Sequence, residues 1–414
     1  MTPELELRNG ADTQSNDSAP RTWHTTLHPA LAALGAADAQ AWDALERGGN
    51  PFLRHAFLAA AERHGAAAPR LGWHPQHIAL RDADGTLLGA QPLYLRTHSF
   101  GDFARDWNWA EAFERAGRRY YPKLVCGIPY TPAGGPRLLT RPGVARGPAT
   151  RRLLDATLEL AAANAVSCVQ YLFLDDDAET RAALAENGFL LRRGCQFHWH
   201  NAGYRDFEDF LAGFSADKRK KVRRERRRVA ESGLTLEVRH GDEIDAALWR
   251  EIYPHYRSTF TRFGNHPAFP EEFFRAVGAE LGRELVVFLA RRESCDSRVV
   301  AAALCFRSAT TLYGRHWGAD ADYHSLHFEL CFHQGIDYCI REGLQRFEPG
   351  AQGEHKVSRG FVPVPTWSAF RIADPGLHAA IADYLADEAR AVADYEAEMA
   401  RHLPFRHDAE AAGA

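Results

Sequence analysis

Two stretches of this 414-residue chain pass through the same order of elements, and that duplication limits the fold more than any single motif. In the first, short apolar runs at His77–Leu80 and Leu87–Arg96 flank Asp82-Ala83-Asp84-Gly85, a hairpin turn signal. A strand pattern at Lys123–Ile128, helical periodicity over Ala149–Ala163 and a strand at Ser167–Leu174 follow, then a short helix at Glu179–Asn187 and a strand at Phe189–Trp199. In the second, an amphipathic helix over Ile244–Phe260, bent near Pro254, precedes a hairpin of Glu284–Ala290 and Val299–Arg307. A strand at Thr310–Trp317, a helix at His327–Arg341 and a strand at Gln345–Glu348 complete it. Hairpin, strand, helix, strand thus occurs twice, which predicts an α/β (α+β) protein of two similar domains in tandem.

The expected divisions are a disordered polar tail (1–20), a first domain (21–204), a basic linking helix (205–232), a second domain (233–375) and a C-terminal docking helix with its tail (376–414). In the last, Leu377, Ile381, Leu385, Val392 and Met399 recur at helical spacing opposite an acidic face, which predicts docking without chemistry. Seven cysteines without a CxxC pair fit a reducing compartment, and the N-terminus has no apolar segment of the signal-peptide kind. No run approaches the roughly 18 apolar residues of a membrane span. A cytoplasmic enzyme is the expectation.

Charge is unevenly placed. Asp217–Arg228 holds nine basic and two acidic residues, while the whole chain carries −4. At 100° per residue Leu211, Val222 and Val229 share a face, so Lys218, Arg219, Arg223, Arg224 and Arg227 fan outward, a pattern suited to successive phosphates of a tRNA, a nucleotide-linked substrate or coenzyme A. A solvated helix neutralised by the acidic remainder of the protein accounts for the same residues.

Residues 345–361 combine ionisable groups of both signs with Gly350, Gly353 and Gly360. Acyl transfer to an amine needs a base for the incoming amine and a cation for the developing oxyanion. Glu354 or His355 fits the first role, and Lys356 with Arg359 the second. A solvated loop with incidental charge is the plain alternative. Arg315 and His316 at the end of a strand are candidates for positioning the donor, and Gln352 for contacting substrate. Trp107, Tyr120, Tyr121 and Lys123 place aromatics beside polar groups, as acceptor pockets do and as cores also do. Twenty histidines come without HExxH or CxxC, so no metal site is expected. Walker, GxSxG and GxGxxG motifs are absent, which removes support for nucleotide hydrolysis, serine hydrolysis and dinucleotide redox.

Several stretches carry a resemblance. They are Asn50-Pro51-Phe52-Leu53, Gly89–Leu95, Asp106–Ala110, Tyr120–Leu124, Gln196–Trp199, Tyr313–Gly318 and Glu348–Lys356. Spread over about residues 45–405, they make the chain resemble the FemAB-like predicted N-acyltransferases, relatives of the Fem aminoacyltransferases and of the GNAT superfamily. The resemblance implies two GNAT-like domains, each a mixed central sheet flanked by helices. It implies an acyl or aminoacyl transfer from acyl-CoA or aminoacyl-tRNA, with no tightly bound cofactor, to a small-molecule or peptide amine such as a peptidoglycan precursor. Lys356 ahead of Gly360-Phe361 looks like the lysine that aids the oxyanion in Fem transferases, and Arg219–Arg228 looks like their basic helix. The helical arm that Fem proteins insert for tRNA has no counterpart here. The GNAT pyrophosphate signature is absent before residues 149–163 and 327–341. A non-catalytic binder of nucleic acid or cell-wall precursor, working through residues 218–228, and a metal-dependent hydrolase are the rival readings.

Overall fold

The structure, a computed structural model, describes residues 22–406 apart from 263, 293–296 and 352. The expected tail at 1–20 and Gln352 therefore lie outside the described residues. In chain order the strands are β1 (His24–His28), β2 (Trp73–Pro75), β3 (His77–Arg81), β4 (Leu87–Gln91), β5 (Leu93–Arg96), β6 (Lys123–Cys126), β7 (Leu139–Thr140), β8 (Cys168–Leu174) and β9 (Leu190–His200). There follow β10 (Leu234–His240), β11 (Leu285–Arg292), β12 (Val299–Arg307), β13 (Thr311–Ala319), β14 (Arg346–Glu348) and β15 (Val362–Ile372).

The chain forms two compact units. One comprises the described residues up to Gly194 together with Thr366–Arg390; the other comprises Cys195–Pro365 and the chain from Ala391 onward. These bounds differ from the expected 21–204, 205–232, 233–375 and 376–414. The basic segment is a helix (Ala216–Ala230) within the second unit, because Val222 and Val229 pack into that unit's core. Leu211, expected on the same face, belongs to a separate short helix, Phe207–Ala212, that ends at Gly213. The C-terminal helix, Pro375–Arg401, contains a unit boundary.

In the first unit, β1, β3, β4 and β7 form one sheet, and β15, β8, β6, β5 and β2 lie in that order in another. The β3–β4 turn forms as its sequence requires: Asp82 Oδ1 accepts from the amides of Asp84 and Thr86, and Gly85 takes φ +81°. The single run expected over 87–96 is split at Pro92, which has no N–H to give a ladder, so β4 and β5 enter different sheets. Leu153, Leu154 and Leu160 of the helix Arg146–Ala163 fill the core against Leu124, Val169 and Tyr171.

In the second unit the order is β10-β11-β12-β13-β14-β9. Residues Leu285–Ala290 and Val299–Phe306 are buried without interruption, as strands covered on both faces must be. The helix Ala246–Arg262 crosses β13 so closely that Gly318 is required: a Cβ there would lie 1.7 Å from the carbonyl oxygen of His255. All strands here are antiparallel to their neighbours except one pair, β13 and β14, which run parallel.

Candidate active site

The parallel pair sets the site. β13 and β14 are in register only over Thr311–Tyr313 and Arg346–Glu348. Beyond that, β13 continues to Ala319 against β12 alone, while β14 ends and the chain turns through Pro349 and Gly350. Gly314 lets this turn pass, since a Cβ on it would stand 3.1 Å from Pro349 Cα. Carboxyl ends of parallel strands that part in this way are where α/β proteins bind ligands. At the same place the β12–β13 register shifts between Leu304 and Cys305, leaving Arg315 as the extra residue of a bulge.

After Gly350 (φ +98°) and Gly353 (φ +115°) the chain makes a 3-10 turn, Glu354–Arg359, closed by Gly360 (φ +86°). That turn folds Lys356 back toward the strand end. Its side chain is 2% exposed, and Nζ donates to Gly350 O at 2.6 Å. Burial, with Arg315 adding like charge, lowers its pKa to about 8, against the pull of Cys331. Arg315 is itself lowered to about 10 by burial, with Glu348 opposing. On the same face of the sheet as Glu348 stand Tyr313 and His198, and Arg346 Nε meets Glu348 at 3.1 Å.

The other predicted residues of the turn separate into different surroundings. His355 has its ring among Phe328, Phe332 and His327, with centroids 5.5 to 6.0 Å away. Burial, Lys356 and Arg359 hold it below the usual histidine value, so it is neutral near pH 7. Glu354 is exposed and accepts from Tyr395 Oη at 3.1 Å, which gives the C-terminal helix a polar contact that its apolar spacing did not announce. Arg359 corrects the expectation of a second oxyanion cation. It is 3% exposed, donates to Glu225 Oε1 at 2.8 Å and to His355 O, and lies over the Phe328 ring at 3.5 Å.

His316 is not brought to this group. It lies among Tyr256, Phe260, Phe269 and Phe274, where burial keeps it well below the ordinary histidine pKa. Of the acceptor candidates, Lys123 and Tyr120 are enclosed in the first unit. Lys123 Nζ donates to Asp106 at 2.5 Å, Ser99 at 2.7 Å and Gln170 at 3.2 Å, and pairs with Asp102 at 2.9 Å. Tyr120 Oη donates to Asp106 at 2.5 Å. These groups are satisfied internally, so they support the fold where substrate contact was expected. Trp107, 42% exposed against Phe100, and Tyr121, bonded to Ser99, do reach the surface.

Of the phosphate candidates, Lys218, Arg223, Arg224 and Arg227 are exposed and Arg219 is half-buried. Arg223 is engaged by Glu208 at 2.5 Å. A cavity of 520 Å³ beside the helix is lined by Arg226, Arg227, Thr235, Glu329 and Gln334, among others. On the underside of this helix the sequence reading missed a buried polar chain. Glu225, 6% exposed, faces His333 Nε2 at 3.6 Å, and His333 Nδ1 meets Glu329 at 3.1 Å. Glu329 accepts from Gln334 at 2.7 Å and pairs with Arg226 at 3.3 Å. Glu329–His333 is a π-helical turn, a local irregularity frequent at functional sites. The signal was present, because Val222, Glu225 and Val229 share one helical face and an acid there takes a core position. Among the described residues no group of three or more His, Cys, Asp or Glu side chains is placed to hold a metal ion, and no helix is long and apolar enough to cross a membrane.

A parted parallel strand pair, a bulge beside it and a buried lysine at its mouth make up the candidate site, in a chain of two α/β units. The chain belongs to the FemAB-like family, described for peptidoglycan biosynthesis and recognition, whose model matches residues 33–407. Among solved structures it is similar to L-PGS from Bacillus licheniformis, at 12% identity and TM-score 0.50 over 90% of this chain and 98% of that one. The C-terminal domain of a putative lysylphosphatidylglycerol synthetase from Agrobacterium fabrum gives 12% and 0.50, covering 86% and 97%. A tandem GNAT protein from the clavulanic acid biosynthesis pathway gives 13% and 0.45, covering 85% and 99%. At these identities the likeness to the first two is one of fold. The sequence matches no curated protein.

Proposed function

We propose that the protein is a cytoplasmic N-acyltransferase that moves an acyl or aminoacyl group from acyl-CoA or aminoacyl-tRNA to an amine of a small molecule or peptide, a peptidoglycan precursor among them. The observation that carries this reading is Lys356, a buried ammonium whose hydrogen-bond partner is a neutral carbonyl at the end of a parted strand pair. The acceptor nitrogen attacks the ester or thioester carbonyl, and its proton passes to His355 or, through water, to Glu354. Lys356 donates to the oxyanion as the C–N bond forms. Collapse then breaks the C–O or C–S bond, and the leaving group takes up the proton. Arg315, on the bulge beside Lys356, holds the donor.

The basic helix supplies the carrier's phosphate contacts, with Lys218, Arg219, Arg224 and Arg227 as the main ones and Arg223 shared with Glu208. The loop ahead of the helix that follows β13 carries exposed Asp322, and Asp320 paired with Arg298 at 2.7 Å, so it offers a pyrophosphate no uncompensated positive charge. That favours the basic helix as the place where the carrier binds. Trp107 and Tyr121, which reach the surface of the first unit, are kept as ligand contacts.

The test is product formation from labelled acyl-CoA and aminoacyl-tRNA against a panel of amines. Lys356→Ala is expected to lower kcat by about 10²-fold or more, with the wild-type rate falling above about pH 8 as the ammonium discharges. Arg224→Glu with Arg227→Glu is expected to raise KM for the carrier and flatten its salt dependence. Tight, salt-dependent binding without product, unaffected by Lys356→Ala, would make the protein a binding module.

A further inference from the structure

The arginine expected to work in catalysis is instead tied to the underside of the basic helix. Arg359 closes the 354–359 turn, and its Nη2 is 2.8 Å from Glu225 Oε1, both side chains being buried. A buried arginine that loses its carboxylate is expensive to keep in place, so such a pair fixes geometry strongly even where it adds little net stability. Three residues before Arg359 on the same 3-10 turn is Lys356, whose Nζ reaches Gly350 O. Glu225 is also the one acid between Arg219 and Arg228, at a core-facing position of an otherwise cationic element.

We propose that Glu225 is a positioning residue for the transfer reaction: through Arg359 it sets the 354–359 turn, and so the burial of Lys356, from the inner face of the basic helix. The inference rests on the assignment of Lys356 above, but its test needs no substrate. The helix that meets the carrier and the turn that meets the carbonyl are then joined by one ion pair. His333 stands next to the unbonded oxygen of Glu225 at 3.6 Å and backs it from the other side. The charged or titratable groups around Lys356 are Arg315 on β13, Cys331 and His327 on the helical segment after it, His198 on β9, and His355 and Arg359 on its own turn. Of these, Arg359 is the one that Glu225 holds.

The experiment is the pH dependence of Lys356 acetylation by acetic anhydride, read by peptide mass spectrometry on the full-length protein, with melting temperature recorded alongside. In Glu225→Gln the turn loosens and water reaches Nζ, so the titration midpoint of Lys356 is expected to rise by about one unit or more, a roughly tenfold fall in the free-amine fraction near neutrality. Glu225→Asp keeps the charge but shortens the reach to Arg359, and is expected to raise the midpoint by less than Glu225→Gln does. A purely structural contact would lower the melting temperature and leave the midpoint where it was, and that result overturns the proposal. If Glu225→Gln does not fold, Glu225→Asp decides: a raised midpoint supports the coupling, and a wild-type one removes it. Because acyl donors are absent from the assay, its failure is separate from failure of the transferase reading, which rests on product formation.

Discussion

Lys356 is costly to the folded protein. Its proton is held more weakly when folded, at a pKa of about 8, than in an unfolded chain, where it titrates near 10.5. The unfolded state therefore binds more protons between those values, and stability rises with pH across that window. Below pH 8 both states are protonated and the full burial cost of the ammonium applies. Lys356→Met is accordingly expected to stabilise the protein at neutral pH by about 1–3 kcal/mol, a gain that shrinks toward pH 10. Urea unfolding at several pH values checks it, and a variant less stable than wild type at neutral pH would contradict it. At this scale the sequence was only partly readable. The glycines at 345–361 marked a tight turn, which forms at Glu354–Arg359. The partner of Arg359 could not be read from spacing along its own segment, since Glu225 is distant in sequence. Lys123 and Tyr120 misled for a related reason: polar groups beside aromatics look alike whether they face a ligand or, as here, Asp102 and Asp106.

Elements were legible where local pattern decided them. Helix Arg146–Ala163 and strands β8, β11 and β12 lie close to their expected places because periodicity or unbroken apolarity is a property of the segment itself. β15 was missed, since Pro363 and Pro365 argue against a strand and only its later residues pair regularly with β8. Gly318 tests how tightly the elements around the site are set. Its absent side chain lets helix Ala246–Arg262 rest on β13 just beyond Arg315 and His316. Gly318→Ala must move that helix or bend the strand, and we expect a loss of about 3 kcal/mol or more in chemical denaturation. A loss below about 1 kcal/mol would show that the packing yields easily there.

Over the whole molecule, the tandem arrangement was visible because each half repeats a local order, whereas the return of the chain to its first unit was not. Trp367–Ile372 pairs with β8, and Ile381 and Leu385 fill a core with Trp109 and Phe113, contacts for which no periodicity exists. The consequence lies in biogenesis. A nascent polypeptide leaves the ribosome from its N-terminus, yet the first unit stays incomplete until Arg390 has been translated, after nearly all of the second. Chains arrested after Pro365 are expected to leave residues 22–194 open to protease, and release at full length to protect them. Protection already present in the arrested chain would mean that the late segment joins a unit able to fold without it.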